Sequence, residues 1–330
     1  MHAIRLHAFG PAENLGYEQV DTPEPAPGQV RIAVAAAGVH LLDTVLRLGD
    51  TNGPYPPPEL PTIPGREVAG TVDALGAGVD ARWLGRRVVA HLGMAPGGYA
   101  EHAVVAAERL HELPDGVRED HAVAMIGTGR TTMAMLRFSG LSADDVVVVT
   151  AAAGGIGSLL VQHAKNVGAT VLALAGGPAK TARTRELGAD HAVDYNADGW
   201  VDQARAALGG ARATVVLDSV GGELARGAVD LLAPGGRHLV LSWSSGTPLE
   251  LTEDEQAARG IVSRPVLGGA EWRAVVGDPE QLRALEDEAL AAVATGRLVP
   301  AVQSFPLADA AAAHRALESR GTMGKVVLVP

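Results

Sequence analysis

Apolar residues in the first third of the chain fall into short runs, each of strand length and bounded by turn residues. Gln29 to Val34 and Arg86 to Ala90 are two such runs. Short β-like runs separated by glycine and proline are typical of a compact β-rich domain. The pattern therefore predicts a β-rich domain over residues 1–120.

From about residue 121, strand-length apolar runs alternate with helical stretches. This alternation predicts βαβ units and a parallel sheet, so we expect an α/β domain over residues 121–268. The predicted strands cover 145–149, 169–175, a short run ending near 195, 214–217, 238–241 and 260–267. The predicted helices cover 157–167, 180–187, 200–208 and 223–232.

After residue 268 the alternation stops. Residues 269–330 hold two predicted helices, at 279–295 and 307–318, and a terminal strand at 325–329. We expect this segment to rejoin the first domain. Because 330 residues exceed the usual size of one core, the sequence predicts two domains with a ligand-binding cleft between them.

Charge and composition exclude several classes of protein. The net charge of -11 and the lack of clustered Lys and Arg disfavour a nucleic-acid partner. The absence of cysteine excludes disulfides, Cys-ligated zinc, iron–sulfur clusters and a thiolate nucleophile. The chain shows no signal pattern and no apolar run of roughly 20 residues, so we expect a soluble, cytoplasmic protein without a membrane partner.

The segment from Val146 to Leu159 combines a predicted strand, a turn of small residues and the start of a helix. Ala152, Gly154 and Gly157 give the turn the pattern A-x-G-x-x-G, in which Ala152 departs from the strict glycine fingerprint. Only small residues let a pyrophosphate approach the backbone closely, and a helix N-terminus favours its negative charge. In this context the turn predicts a dinucleotide site.

The second predicted strand ends at Gly176 and Gly177, without the acidic residue that binds the ribose 2′-hydroxyl in NAD enzymes. Lys180, Arg183 and Arg185 follow, and positive charge suits a 2′-phosphate. Lys180, at the helix start, is the candidate, whereas the two arginines are expected on a solvated helix face. The sequence therefore predicts NADPH rather than NADH.

Further segments extend this pattern nearly end to end. They are Gly38 to Asp43, Pro64 to Gly70, Gly97 to Glu101, Ala151 to Gly157, Glu186 to Asp190, Ala233 to Arg237 and Gly324 to Val327. Together they resemble the zinc-free, quinone oxidoreductase-like (zeta-crystallin-like) branch of the medium-chain dehydrogenase/reductase superfamily. The resemblance implies a Rossmann doubly wound sheet domain, a GroES-like catalytic domain formed from both chain ends, and a homodimer.

The resemblance also implies a set of cofactor contacts. Lys180 and Tyr195 are expected near the adenosine 2′-phosphate, and Ser219 beside the ribose. Arg320 is expected to reach the cofactor from the catalytic domain, with a surface charge as the alternative. The other implied contacts are Thr131, Ala152, Ala153, Gly154, Gly155, Ile156 and Gly157 along the pyrophosphate, and Leu241, Ser242 and Trp243 past the nicotinamide, with Gly176 as a further cofactor-binding residue.

At His40 and Arg66 the sequence departs from the residues that related families carry at these positions. Zinc alcohol dehydrogenases of this superfamily place Cys and His ligands at these positions, and the four-cysteine structural lobe is missing here. Because Arg stays protonated and one His does not complete a zinc site, no metal is predicted. Quinone reductases usually carry Asn where this chain has His40, which leaves the substrate open.

The predicted chemistry is direct hydride transfer from NADPH to a quinone. A donor near the substrate oxygen would stabilise the developing charge and deliver a proton; His40 and Tyr55 are the candidates. Tyr55 lies in the proline-rich stretch Gly53 to Pro58, where loop packing is an equal alternative. Asp43 is expected to orient His40 or Arg47, or to cap the helix beginning there.

Two other functions remain open at this point. Reduction of an activated C=C bond in an enone or enoyl substrate needs the same hydride donor and an open apolar pocket. A non-catalytic NADPH-binding protein is a third possibility, because one fold hosts many functions.

Overall fold

The computed structural model describes residues 1–50, 56–93 and 95–330. It divides into two compact units, one made of residues 1–129 and 289–330 and the other of residues 130–288. The boundaries differ from those expected at 121 and 268. Residues 119–129 pack against strands of the first unit, whereas ion pairs such as Arg130–Glu286 hold the segment after 268 to the second unit.

The described part of the first unit is built around an antiparallel sheet, with one parallel pair at its edge. Its order is β14-β15-β3-β4-β5-β7, with β6 also paired to β3, and β1 and β2 form a separate pair. Numbered along the chain, these strands are β1 (His2–Leu6), β2 (Leu15–Gln19), β3 (Gln29–Val39), β4 (Glu67–Leu75), β5 (Arg87–His91), β6 (His102–Ala106), β7 (His111–Glu112), β14 (Val302–Pro306) and β15 (Lys325–Val329).

The described residues of the first unit also form the helices α1, α2 and α11 and a π-helical turn. The turn covers Met125–Gly129 and follows directly on the second helix. The helices are α1 (Leu41–Leu48), α2 (Glu119–Ala124) and α11 (Ala310–Glu318). The core lies between the strands and α11, with Ile4, Ile32 and Val326 among its fully buried members.

The described part of the second unit is a six-stranded parallel sheet of order β10-β9-β8-β11-β12-β13. Counted within the sheet this is 3-2-1-4-5-6, the Rossmann order, whose direction reverses between β8 and β11. The parallel sheet and the Rossmann topology are thereby confirmed. The strands are β8 (Val146–Val149), β9 (Thr170–Ala175), β10 (His191–Asp194), β11 (Ala213–Asp218), β12 (Leu232–Val240) and β13 (Val262–Pro265).

The helices of the second unit alternate with its strands. They are α3 (Arg130–Arg137), α4 (Gly155–Asn166), α5 (Pro178–Glu186), α6 (Trp200–Ala207), α7 (Gly222–Val229), α8 (Glu253–Arg259) and α9 (Ala270–Val276). A longer helix, α10 (Pro279–Ala294), runs across the boundary between the units.

Both faces of the second sheet are buried. Val147 and Val149 pack into one apolar cluster, whereas Val148 packs into another on the opposite face. A parallel strand covered on both faces is apolar at every position rather than at alternate ones. This explains the unbroken valine run of β8.

Most predicted elements of the second unit lie within a few residues of those observed, but α3, α8 and α9 were not predicted there, and neither was β14 of the first unit. The helices α8 and α9 and the strand β14 lack a long apolar run: β14, for example, buries none of its residues fully. In addition, β12 begins at Leu232, inside the segment predicted to continue α7. No helix in the described ranges is long and apolar enough to cross a membrane.

Candidate cofactor site and active site

The turn after β8 carries the small-residue pattern and leads into α4. Gly154 is the N-cap, with φ -78°, and its residue type offers no capping side chain. Gly155, Ile156 and Gly157 form the first helical turn, whose N–H groups have no partner inside the helix. A Cβ on Gly157 would lie 2.3 Å from the Ala151 carbonyl oxygen, so the helix can start this close to the turn only with glycine there.

The alanine that departs from the glycine fingerprint is accommodated without strain. Ala151, one residue earlier, has the left-handed φ of 47°. Ala152 is fully buried, and its N–H donates to the Leu174 carbonyl at 3.0 Å. The left-handed backbone is therefore at Ala151, whereas the fingerprint requires glycine at the position of Ala152. Ala153, which follows Ala152, is also buried.

A buried polar network fixes the turn after β11, at the point where the strand order reverses. Thr150 Oγ1 donates to Asp218 Oδ1 at 3.1 Å and accepts from the Ser219 N–H at 2.8 Å. Asp218 also accepts from the N–H groups of Val220 and Gly221. Thr150 and Asp218 are both fully buried. The Ser219 hydroxyl is buried and has no hydrogen-bond partner among the described residues.

The predicted nicotinamide contacts lie next to that turn. The Leu241 and Ser242 N–H groups donate to the Asp218 carbonyl at 2.7 and 3.2 Å. Leu241 is buried, whereas Trp243 is 39% exposed, which is high for a large aromatic side chain. The structure thus brings Ser219, Leu241, Ser242 and Trp243 together after the adjacent strands β11 and β12.

The carboxyl ends of β9 and β10 bring together another part of the predicted set. A Cβ on Gly176 would lie 3.0 Å from the Tyr195 hydroxyl, so these two residues are neighbours. Lys180 lies in the first turn of α5. An acidic residue does approach from β10: Asp194 Oδ1 accepts from the Gly177 N–H at 2.8 Å. Asp194 was not predicted as a site residue, because it is the last residue of β10, whereas the acidic residue of NAD enzymes was sought at the end of the second strand, β9.

Thr131 and Arg320 lie on other elements. Thr131 is on α3, which packs against α4. Arg320 follows α11 in the first unit and has a left-handed φ of 55°. Its N–H donates to the Leu317 carbonyl, and the Gly321 N–H donates to the Ala316 carbonyl, which is the hydrogen-bond pattern of a Schellman motif.

His40, the predicted proton donor, lies at the end of β3 as the N-cap of α1. Its Nε2 is 2.6 Å from Glu67 Oε1 and 2.9 Å from Lys325 Nζ. Lys325 Nζ is in turn 2.8 Å from Glu67 Oε2. Burial alone would raise the pKa of Glu67, but the charges of His40 and Lys325 outweigh burial, and the pKa lies well below its usual value.

Asp43, the third residue of α1, forms a capping box with His40, the N-cap. Asp43 Oδ2 accepts from the His40 N–H at 2.8 Å, and the His40 side chain accepts from the Asp43 N–H, so Asp43 both helps to cap the helix and contacts the His40 ring. Asp43 Oδ2 also accepts from the Tyr99 hydroxyl at 3.0 Å. Burial raises the pKa of Tyr99 well above its usual value, and Asp43 adds to the effect, so Tyr99 remains a donor. Tyr99 Oη is also 3.2 Å from His314 Nε2.

The residues of this region do not fit a zinc ion. Arg66, at the position of one zinc ligand in the related alcohol dehydrogenases, lies with Nε 3.4 Å from Asp43 Oδ1, and a guanidinium cannot ligate a metal. Within residues 1–50, 56–93 and 95–330, no three His, Cys, Asp or Glu side chains are grouped as metal ligands.

Tyr55, the other predicted donor, lies outside the described residues. Glu67 and Lys325, in contrast, were not predicted as functional residues. Each is a charged residue beside a run of valine and alanine in a strand. A charge inside an apolar strand is rarely buried unless it is paired, and this was the signal available in the sequence.

A parallel Rossmann unit with its small-residue turn, joined to a β unit made from both chain ends, defines a dinucleotide-dependent dehydrogenase or reductase fold. The alcohol dehydrogenase GroES-like domain matches residues 26–115, and the zinc-binding dehydrogenase family matches residues 187–328.

Full-length relatives narrow the family. A quinone oxidoreductase of Pseudomonas aeruginosa is 34% identical, covering 99% of each chain. A 2-haloacrylate reductase of Burkholderia sp is 32% identical over 99% of this chain and 98% of that protein. The crystal structure of Escherichia coli quinone oxidoreductase complexed with NADPH matches over 100% of both chains, with a TM-score of 0.84 and 29% identity. The chain belongs to the quinone oxidoreductase-like branch of the medium-chain dehydrogenase/reductase superfamily.

Proposed function

We propose that this protein is an NADPH-dependent oxidoreductase that reduces a quinone by direct hydride transfer, without zinc. The observation that carries the proposal is the buried Ser219 hydroxyl at the reversal point of the Rossmann sheet, which has no partner among the described residues. Buried hydroxyls are normally hydrogen-bonded, and ligands of such sheets bind at this point. A cofactor ribose would supply the partner.

The residues around Ser219 fit a dinucleotide. The N–H groups of Gly155, Ile156 and Gly157 would hold the pyrophosphate, because the first helical turn offers free donors and a favourable dipole. NADPH bound in the Escherichia coli relative supports the same cofactor here. The proposed contacts are Thr131, Ala152, Ala153, Gly154, Gly155, Ile156, Gly157, Gly176, Lys180, Tyr195, Ser219, Leu241, Ser242, Trp243 and Arg320.

When bound, the cofactor supplies hydride, so the protein has to orient the substrate and manage one proton. His40 is the proposed donor, because its side chain is 23% exposed while both ring partners are buried. Arg66 stands where the related alcohol dehydrogenases have a zinc ligand, and this supports hydride transfer without zinc. We carry over from the family a homodimer, which sedimentation analysis would test.

Reduction of an activated C=C bond is the second candidate. The 2-haloacrylate reductase relative favours it, because that protein is nearly as similar to this chain as the quinone oxidoreductase. Both reactions leave an anionic oxygen after hydride transfer, and both are served by the same donor.

The test is oxidation of NADPH by the purified protein against a panel of quinones and enones, with and without a chelator. Turnover with quinones that survives the chelator supports the proposal. Turnover with enones alone moves the assignment to alkene reduction. NADPH binding without turnover, or activity that needs stoichiometric zinc, contradicts it.

Cofactor choice is tested by Lys180→Ala. We expect NADPH to bind about tenfold more weakly, because a charge-assisted contact to the 2′-phosphate is lost, and NADH binding to stay within twofold. Fluorescence titration with both cofactors measures this, with Arg183→Ala as the control, since Arg183 is paired with Glu186 at the surface. Equal losses for both cofactors would contradict the role of Lys180.

A further inference from the structure

A carboxylate lies beside the end of β9, although β9 itself does not supply it. β10 pairs with β9 so that Asp194 stands opposite Ala175, the last residue of β9. In Rossmann folds the end of the second strand meets the 2′ position of the adenosine ribose. Gly176 and Gly177 follow the second strand here, so the Asp194 carboxylate reaches the ribose region from the neighbouring strand.

Backbone contacts hold this carboxylate in place. Asp194 Oδ1 accepts from the Gly177 N–H at 2.8 Å and from the Asn196 N–H at 2.9 Å. The contact with Asn196, two residues later, is that of an Asx-turn. The contact with Gly177 ties the turn after β10 to the N-cap of α5. The carboxylate therefore lacks the freedom of an ordinary surface side chain.

The negative charge of Asp194 is not compensated by these contacts. Both N–H groups belong to the uncharged backbone and bind Oδ1, and Oδ2 accepts no hydrogen bond from the residues described. Asp190, just before the same strand, differs, because its carboxylate is 2.8 Å from Lys165 Nζ. The carboxyl end of β10 thus presents an anion, whereas the carboxylate at its amino end is paired.

The other groups around the end of β9 favour a phosphate. Lys180 lies in the first turn of α5, and the N–H groups of a first turn carry a positive partial charge. Neutral donors lie here as well: a Cβ on Gly176 would be 3.0 Å from both the Tyr195 hydroxyl and Asn196 Nδ2. These groups attract a 2′-phosphate, whereas the Asp194 carboxylate repels one.

We propose that Asp194 is a specificity residue whose charge limits the preference for NADPH over NADH. NADPH carries a phosphate on the adenosine ribose that NADH lacks, so a fixed negative charge at this place weakens the binding of NADPH alone. Lys180 and Asp194 then act in opposition, because the ammonium raises NADPH affinity and the carboxylate lowers it. The inference rests on the proposed cofactor site for the position of the phosphate.

A purely structural role for Asp194 leads to a different expectation. Loss of its hydrogen bonds would displace Gly177 and Asn196, and it would weaken both cofactors because NADPH and NADH share the adenosine. Loss of the charge alone leaves the turn in place and affects only the phosphate. Asp194→Asn makes this second change, since Oδ1 remains as the acceptor and the new amide group takes the place of Oδ2.

Fluorescence titration with NADPH and with NADH compares Asp194→Asn with the wild type. We expect the variant to bind NADPH about fivefold more tightly, because a like charge a few ångströms from the phosphate is removed, and NADH within about twofold. In about 1 M salt, where the screening length is roughly 3 Å, most of the gain should disappear. Asp198→Asn is the matched control, because it makes the same change of charge at an exposed position of the same turn; both of its affinities should stay within about twofold.

Asp194→Ser is a second neutral variant that does not depend on the fit of the amide, because a serine hydroxyl also accepts in a turn of this kind. A selective gain in NADPH affinity in the neutral variants supports the inference even if the protein reduces no quinone or enone, a result that contradicts only the proposed function. An unchanged or weaker NADPH affinity, or equal changes for both cofactors, overturns the inference whatever the activity. A wild type that binds no NADPH overturns both.

Discussion

The turn after β8 and the triad of His40, Glu67 and Lys325 solve different problems with different materials. The turn uses consecutive small residues without side-chain charge, and its donors are backbone N–H groups. The triad uses three titratable side chains, two of them almost fully buried. A permanent anion such as a pyrophosphate can be bound by fixed dipoles. A proton that must be given and recovered requires a titratable group.

Both regions nevertheless depend on glycine, and Gly127→Ala tests this in the first unit. Its Cβ would lie 1.5 Å from a buried carboxylate oxygen, so we expect a loss of about 3 kcal/mol in the free energy of unfolding. Urea denaturation measures it. In the control Gly321→Ala, the nearest atoms to the new Cβ lie at 3.4 Å; equal losses in both variants would show that the packing around Glu67 is not tight.

Gly157→Ala makes the corresponding change in the second unit. Its Cβ would lie 2.3 Å from the Ala151 oxygen and 2.8 Å from Ala152 Cα, so α4 has to move away from the turn. We expect a loss of about 2 kcal/mol in stability and about tenfold weaker NADPH binding, measured by denaturation and fluorescence titration. Gly154→Ala, with its nearest atom at 3.2 Å, should lose less of both. An unchanged NADPH affinity in Gly157→Ala would contradict the proposed pyrophosphate site.

The same contrast explains how much the sequence could predict. The turn after β8 is local: strand, small residues and helix follow one another, so the pattern is visible in one segment. Ser219 and Lys180 could be predicted from the sequence, because each follows a predicted strand of the same sheet. The partners of His40 come from residues 67 and 325, and only the pairing of β3 with β4 and β15 brings them together.

A second class of residue was hidden for a different reason. Thr150 and Asp218 hold the turn at Ser219, but Thr150 directly follows β8 and Asp218 ends β11, two largely buried strands in which apolar periodicity is the only visible signal. His314 belongs to a predicted helix, and nothing in its spacing indicates that its ring meets Tyr99. Such contacts depend on packing between elements, which periodicity does not encode.

His314 predicts a pH effect on the stability of the first unit. Burial lowers the pKa of His314 from 6.5 to about 4, so the unfolded chain takes up a proton at a higher pH than the folded one. Stability from the neutral ring is therefore complete above pH 6.5 and is lost as pH falls toward 4. At pH 5 we expect a loss of about 2 kcal/mol relative to pH 7.

The comparison variant is His314→Gln, which keeps an N–H group for Tyr99 but does not titrate. Urea denaturation at pH 5 and pH 7 should show a smaller difference for the variant than for the wild type, by about 2 kcal/mol. Identical differences would mean that other groups account for the acid sensitivity. Such a result would show that the ionisation of His314 does not affect the free energy of unfolding.

Substitution of Arg320 is expected to have the smallest effect on stability and NADPH binding. The two effects should have opposite signs, so this position separates function from stability. The residue occupies the left-handed position of a Schellman motif, where glycine is preferred and other side chains are strained by roughly 1 kcal/mol. Strain at one position that a glycine would relieve suggests that the guanidinium serves another purpose. We expect Arg320→Gly to gain about 1 kcal/mol in unfolding free energy and to bind NADPH about threefold more weakly.

Arg320→Asn separates the loss of charge from the glycine backbone, because asparagine also tolerates the left-handed region. Its NADPH affinity should fall as much as that of Arg320→Gly, since both variants lack the guanidinium, while its stability should lie between those of the wild type and the glycine variant. A gain in stability with unchanged NADPH affinity in both variants would make Arg320 a surface charge.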